Sequence, residues 1–257
     1  MIKAVFFDID GTMVSFETHQ VPQSTQDAIV DLRKKGIRVF VATGRHRSAI
    51  NNLANITFDG YITINGGYCT VENDICIYKR SIEKSDIEAL IEFQKNRPFP
   101  CMIVEETRSF INFLNDDVEH VLNMLNFPTI NVRPLEEALN SDVLQLVSFF
   151  TENKENTVMS VLPNCESTRW YPLFTDIVPK GSHKGIGMDK IIAYYGISLD
   201  ETMAFGDGGN DISMLQHAGI GVAMGNADDE VKASADFVTD TVDADGIYKA
   251  LNKFGVL

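Results

Sequence analysis

Close to the start of the chain, the apolar run Ala4-Val5-Phe6-Phe7 leads directly into Asp8-Ile9-Asp10-Gly11-Thr12. In an extended chain residues i and i+2 point to the same side. That spacing directs the carboxylates of Asp8 and Asp10 to one place, just past the end of a buried strand. Two close carboxylates repel, and one of them resists ionisation unless a cation stands by. The pattern therefore asks for a metal ion or for a division of labour between an acid and a base. An Asp-Gly turn alone would not need the second acid.

Further polar clusters fall at the ends of apolar runs. Thr43-Gly44-Arg45 follows "VFVA", Asn65-Gly66-Gly67 follows "YITI", and Gly206-Asp207-Gly208-Gly209-Asn210-Asp211 follows "TMAF"; Lys180 and Lys184 precede a helical stretch. Each has a bland reading: Thr43 as a helix cap, "NGG" as a turn, Asn210 or Asp211 as a cap, Lys184 as a solvated cation. Their joint occurrence at strand ends carries more weight, because open α/β sheets bind ligands beyond the carboxyl ends of their strands. Asp8, Asp207 and a backbone carbonyl form an oxygen donor set suited to Mg2+, which is usually bound together with substrate phosphate. Thr43, Lys184 and Asn210 are donors suited to phosphoryl oxygens. An Asp can act as a covalent nucleophile, and a second carboxylate can protonate a leaving oxygen and then deprotonate water.

The elements that must position these residues alternate at both ends of the chain. "KAVFFDI", "IRVFVAT", "YITI", "TMAFGD" and "IGVAM" read as strands. "STQDAIVDLRKKG" reads as a helix with Ser24 at its N-cap and Gly36 as its stop. A short helix is expected around 46–54. "KGIGMDKIIAYYG", "NDISMLQHAG" and "DADGIYKALNKFG" read as helices. Continuous apolar strands separated by helices predict an α/β fold: a Rossmann-like parallel sheet with helices on both faces. The middle differs, with a helix in "SIEKSDIEALIEFQKN", strands near 101–105, 110–114 and 143–150, helices near 116–125 and 153–162, and a strand-turn-strand in "TRWYPLFTDIVP". The expected organisation is a core of 1–82 and 180–257 with an inserted α+β domain at 83–179, a kind of insertion that loop tips tolerate.

Hydrophobic residues make up 44% and charged residues 23% of 257 residues, ordinary for a globular protein with a substantial core. A net charge of −14 argues against nucleic acid or an anionic membrane as partner, since both require a basic footprint. No apolar run has the length of a secretory leader or of a membrane span. Cys69, Cys76, Cys101 and Cys165 show no zinc-like spacing. A cytoplasmic protein acting on a small molecule is expected.

In order along the chain, "DIDGT" at 8–12, "VFVATGR" at 39–45, Lys184 in "HKG" and "GDGGND" at 206–211 resemble the four motifs of the haloacid dehalogenase-like (HAD) phosphatases. The central insert, the "NGG" and the length resemble the Cof-type branch, and within it the sugar-phosphate phosphatases. The resemblance spans essentially the whole chain. It implies Asp8 as nucleophile and Mg2+ ligand, and Asp10 as general acid/base with its carbonyl on the metal. It implies Thr43 as a phosphate-binding hydroxyl and Lys184 as the cation that orients the nucleophile. Asp207 and Asp211 become metal-site acids and Asn210 a phosphate contact. Gly11, Thr12, Gly44, Arg45, Asn65 and Gly66 are assigned to the phosphate or substrate. Many Cof-type proteins read "NGA" where this one has Gly66-Gly67.

The implied activity is Mg2+-dependent hydrolysis of a small phosphorylated metabolite, a sugar phosphate in particular. A phosphomutase of the same superfamily and a non-catalytic phospho-receiver remain as alternatives. Substrate selection is expected in the insert. Within "STRWYPLFTD", Arg169 and Trp170 place a cation beside an aromatic ring, as a sugar pocket requires. Arg169 is the favoured contact, with Trp170, Tyr171 and Phe174 serving equally well as core.

Overall fold

The computed structural model describes residues 1–124, 127 and 129–257, and the side chain of Trp170 lies outside that description. The chain opens with strand β1 (Ala4–Phe7), helix α1 (Gln23–Lys34), β2 (Arg38–Ala42), β3 (Gly60–Thr63), β4 (Tyr68–Val71) and β5 (Ile75–Lys79). Next come α2 (Lys84–Gln94), β6 (Cys101–Glu105), β7 (Ser109–Ile111), α3 (Asp116–Met124), β8 (Asn131–Val132), β9 (Val143–Ser148), α4 (Glu155–Met159), β10 (Cys165–Tyr171) and β11 (Phe174–Pro179). The chain ends with α5 (Lys184–Tyr195), β12 (Thr202–Gly206), α6 (Ile212–His217), β13 (Ile220–Ala223), α7 (Asp229–Ala233), β14 (Phe237–Val238) and α8 (Gly246–Lys253). The expected helix end at Leu125 falls outside the described residues. No helix among the described residues is long and apolar enough to cross a membrane.

Two compact units result. The first joins Met1–Tyr78 to His183–Leu257, and the second is the contiguous segment Lys79–Ser182. The first unit is built on a sheet in the order β14-β13-β12-β1-β2-β3-β4-β5. From β14 to β3 the pairings are parallel, and β4 returns antiparallel to β3. Period-two alternation divides β1 between two cores. Val5 and Phe7 face one side with Ala28, Ile29 and Leu32 of α1 and Ile247, Ala250 and Leu251 of α8. Ala4 and Phe6 face the other with Met188, Ile191 and Ile192 of α5 and Met214 and Leu215 of α6. Both faces of the strand are covered, so every one of its residues is apolar and fully buried. Each phenylalanine so buried contributes about 1.5–3 kcal/mol relative to exposure.

Some local expectations fail for identifiable reasons. Ser24 does not cap α1, which begins one residue earlier behind Pro22. The Ser24 hydroxyl instead donates to Asp245 at 2.6 Å, 221 residues away. The helix expected at 46–54 is a single turn at Arg47–Ala49. The hairpin β4–β5 was not anticipated. Its strands pack at the edge of the sheet, and the turn "END" between them holds Glu72, Asn73 and Asp74 all at positive φ.

The second unit has the sheet order β10-β11-β9-β6-β7-β8, antiparallel except for β7 with β8. Ile87 and Leu90 of α2 and Val158 of α4 pack with Cys101, Ile103, Leu146 and Ile177 of the strands.

Candidate active site

Strands β12, β1, β2 and β3 are neighbours, and their register aligns their carboxyl ends. Phe7 lies opposite both Val41 and Phe205, and Ala42 lies opposite Ile62. The residues that follow these positions, distant in sequence, therefore leave the sheet side by side.

Asp8 continues the β1 ladder, its N–H donating to the Phe205 carbonyl at 3.0 Å. Its Oδ1 accepts from Lys184 Nζ at 2.6 Å, and the same ammonium donates to Asp211 Oδ1 at 2.5 Å. Lys184 opens α5 and has no solvent exposure. Burial by itself would weaken its hold on its proton, but the charges of Asp211 and Asp8 outweigh burial and raise its pKa. Burial pushes the Asp8 carboxyl well above the usual carboxylate range, Asp211 pushes it further, and Lys184 opposes the rise. Burial likewise lifts Asp207 to about 7, against the Thr12 hydrogen bond and with the help of Asp211.

Oxygens of Asp8, Asp207 and Asp211 lie within 4.8 Å of one another. Three carboxylates face one ammonium, and the donor atoms are all oxygen, which suits a hard divalent cation. Gly11 (φ +84°) completes the cradle, since a Cβ there would stand 2.1 Å from Asp207 Oδ2. Asp211 is fully buried, and its Oδ2 accepts the N–H groups of Asp207 and Gly208 at 3.0 and 2.9 Å. It thus holds the "GDGG" loop while pairing with Lys184.

Asp10 departs from the reading based on alternation. The strand ends at Phe7, and residues 9–14 form a turn in which Met13 N and Val14 N both donate to the Ile9 carbonyl. The two carboxylates take different partners: Asp8 meets Lys184, whereas Asp10 receives Arg45 in a two-point pair, Nε to Oδ2 and Nη2 to Oδ1, each at 2.7 Å, while its charge still acts on Asp8 and Asp207. Arg45 is thereby tied to Asp10, and it also donates to the Ala49 carbonyl at 3.1 Å. Thr12 departs as well. Its side chain is fully buried, and its hydroxyl donates to Asp207 Oδ1 at 2.7 Å, so the hydroxyl supports a carboxylate.

Thr43 Oγ1 accepts the Arg45 N–H at 3.1 Å, which leaves its own proton for another acceptor. Ile64, Asn65 and Gly66 all have positive φ (54°, 49° and 94°). This is unusual for a β-branched residue, and Ile64 and Asn65, unlike the glycine, are strained by about 1–3 kcal/mol each. The turn brings the Asn65 amide against Gly44 and within 2.9 Å of the Asn210 amide nitrogen. Gly66 serves packing: a Cβ there would lie 2.2 Å from the His183 carbonyl. Its bareness lets the start of α5, and with it Lys184, approach.

Arg169 lies in the second unit, where its guanidinium is engaged internally. Nε donates to Glu155 at 2.8 Å, and Nη1 donates to the carbonyls of Phe150, Pro172 and Phe174 at 2.9–3.0 Å. Those bonds close the β10–β11 hairpin and make Arg169 a structural brace. Trp170, considered with it, lies outside the described side chains.

Sequence reasoning missed Asn226. Its Nδ2 donates to the Gly11 carbonyl at 2.8 Å and stands 3.4 Å from Asp207 Oδ2. The strand-end rule applied to "IGVAM" would have found it, because the loop after β13 emerges beside the loop after β12.

Comparison with known proteins places this geometry in a family. The model of the haloacid dehalogenase-like hydrolases matches residues 5–251. The Bacillus subtilis chain YkrA, which carries the provisional name of a phosphatase, is 32% identical over 258 residues, covering 99% of this chain and 98% of YkrA. A solved structure described as the HAD subclass IIB sugar phosphatase BT4131 is 47% identical, with a TM-score of 0.92 and coverage of 99% and 100% of the two chains. BT1666 from Bacteroides thetaiotaomicron, described among the phosphatases of that superfamily, is 41% identical, with a TM-score of 0.92 and coverage of 100% and 96%. The chain belongs to the haloacid dehalogenase-like hydrolases.

Proposed function

We propose that the chain is a Mg2+-dependent phosphatase that hydrolyses phosphomonoesters of small sugars through a phosphorylated Asp8. The observation that carries this reading is the buried Asp8 carboxylate, pinned through one oxygen by Lys184 at the end of a central strand. Pinning fixes the direction of attack, and the ammonium offsets the charge of an arriving phosphoryl group.

Asp8, Asp207 and the Asp10 carbonyl, with Asp211 alongside, are the groups that would hold Mg2+. When bound, it neutralises phosphoryl oxygens. Asp8 attacks phosphorus, the ester P–O bond breaks, and the leaving oxygen takes a proton from Asp10. Water then attacks the phosphoryl group and gives a proton to Asp10. The bond from phosphorus to the Asp8 oxygen breaks, and inorganic phosphate leaves. Each Asp10 oxygen accepts one hydrogen bond from Arg45, which leaves a lone pair on each for the proton, although protonation weakens the ion pair. Thr43 and Asn210 are assigned to phosphoryl oxygens.

The sugar assignment is supported by the 47% identity to BT4131. Substrate selection is assigned to the 79–182 unit. The test is phosphate release over many turnovers from a panel of phosphorylated metabolites with Mg2+. Hexose or pentose phosphates should lead the panel, and Asp8→Asn should abolish release. Undiminished release from Asp8→Asn overturns the covalent route, and a panel led by nucleotides or amino-acid phosphates overturns the substrate class.

A further inference from the structure

One side-chain amide ties three loops of the first unit together. Asn226 sits in the loop after β13, which is pinned by Met224 N to the Gly206 carbonyl at 3.0 Å and by Gly225 N to the Asp240 carbonyl at 3.1 Å. Its Oδ1 accepts the Val242 N–H at 3.1 Å. That bond fixes the orientation of the amide, because an oxygen must face a donor. The NH2 group is therefore turned toward the Gly11 carbonyl at 2.8 Å and Asp207 Oδ2 at 3.4 Å.

Asp207 is consequently held from both sides. Thr12 serves Oδ1 at 2.7 Å, Asn226 stands at Oδ2, and Gly11 leaves just enough room for that oxygen. Gly11 also follows Asp10, so the bond to its carbonyl steadies the turn carrying the Asp10 backbone. Outer partners that orient metal-binding carboxylates typically change metal affinity by roughly 10–100-fold when removed.

We propose that Asn226 is a positioning residue that aims the Asp207 carboxylate and the 8–12 turn at a divalent cation. The inference rests on the metal-dependent reading above, but its test needs neither substrate nor turnover. Mn2+ is titrated into the metal-free protein and the free ion is followed by electron paramagnetic resonance. Asn226→Ala should weaken Mn2+ binding roughly 10–100-fold, while its melting temperature in chelator falls by no more than about 2–12 °C, the cost of leaving the Val242 N–H without its partner. Asn226→Ser, a polar residue suited to a loop, serves as a second variant should the alanine protein not fold, and should weaken binding in the same range.

Asp207→Asn separates the two levels of failure. If it binds Mn2+ as tightly as the parent, the metal reading itself falls. If it loses binding while both Asn226 variants remain within twofold of the parent, only the positioning role is overturned.

Discussion

Replacing Lys184 with methionine keeps an unbranched side chain, one atom shorter, and removes its charge. The ammonium has no solvent exposure and contacts Asp8 at 2.6 Å and Asp211 at 2.5 Å. Without it, three carboxylates within 4.8 Å face one another with no cation. Breaking a buried pair by removing one partner destabilises by about 3–5 kcal/mol. For a chain of this size that corresponds to a melting point lower by about 6–20 °C. The sign with pH follows from the Asp8 and Asp207 carboxyls. Both are already raised in the folded state, and Lys184 lowers both, so its loss raises them further. A carboxyl whose folded pKa exceeds its unfolded value near 3.9 favours folding below that value and loses the advantage as pH rises through the folded pKa. The gap between parent and variant should therefore be widest near pH 8 and shrink toward pH 5, in melts recorded with chelator. Added Mg2+ should raise the melting point of the variant more than that of the parent, because it now answers three uncompensated acids. Phosphatase turnover should fall by at least about 10²–10³, as when a donor to developing charge is lost. A variant that melts within 2 °C of the parent at pH 8, or with a gap indifferent to pH, would refute this account of the buried lysine.

Asp207, raised to about 7 by burial, by Asp211 and by Asp10, should release its proton as a divalent cation binds. Stabilisation by Mg2+ should accordingly grow between pH 5 and pH 8; equal shifts in melting point at the two pH values would contradict the raised carboxyl. Gly66→Ala should cost about 1–3 kcal/mol in backbone strain, plus a displacement of the His183 carbonyl. Gly36→Ala, also at positive φ but with nothing within 4 Å, isolates the strain, and equal losses in thermal melts would deny the carbonyl contact. Arg169→Ala should destabilise the second unit and leave the ratio of kcat/KM for a hexose phosphate to that for p-nitrophenyl phosphate unchanged. A loss confined to the sugar phosphate would return Arg169 to substrate recognition.

The parts of the molecule legible in the sequence are those governed by period and punctuation. Continuous apolar runs marked β1, β2, β3, β12 and β13, and Gly196 ended α5 as expected, in a left-handed cap at φ 64°. The polar clusters were legible because strand ends concentrate them: Asp8, Asp207, Asp211 and Lys184 do converge. Side-chain direction was not legible beyond the last strand residue. Alternation directs the Asp10 carboxylate beside that of Asp8, but it does not reveal the Arg45 pair that the turn at 9–14 provides. The resemblance assigns Thr12 to the phosphate or substrate, and only the packing of β12 against β1 shows Asp207 accepting from its hydroxyl. Arg169 illustrates the same limit: its partners Glu155 and Phe150 become neighbours only once the second sheet is assembled. Ser24, placed as a local cap, bonds Asp245 for the same reason.

The position of β1 in its sheet also has a consequence for synthesis. The strand pairs with β2 on one edge and β12 on the other. Its partner at Thr202–Gly206 is made roughly 200 residues later, a delay of roughly 10–40 s at ~5–20 residues per second. During that interval Ala4–Phe7 has an unpaired edge of the kind that recruits other chains. The segment Lys79–Ser182 is continuous and is complete before β12 appears. A chain ending at Ser182 and released from the ribosome should therefore carry a finished insert and a half-built sheet. The growing chain would benefit from a chaperone that shields one strand edge until the C-terminal strands arrive.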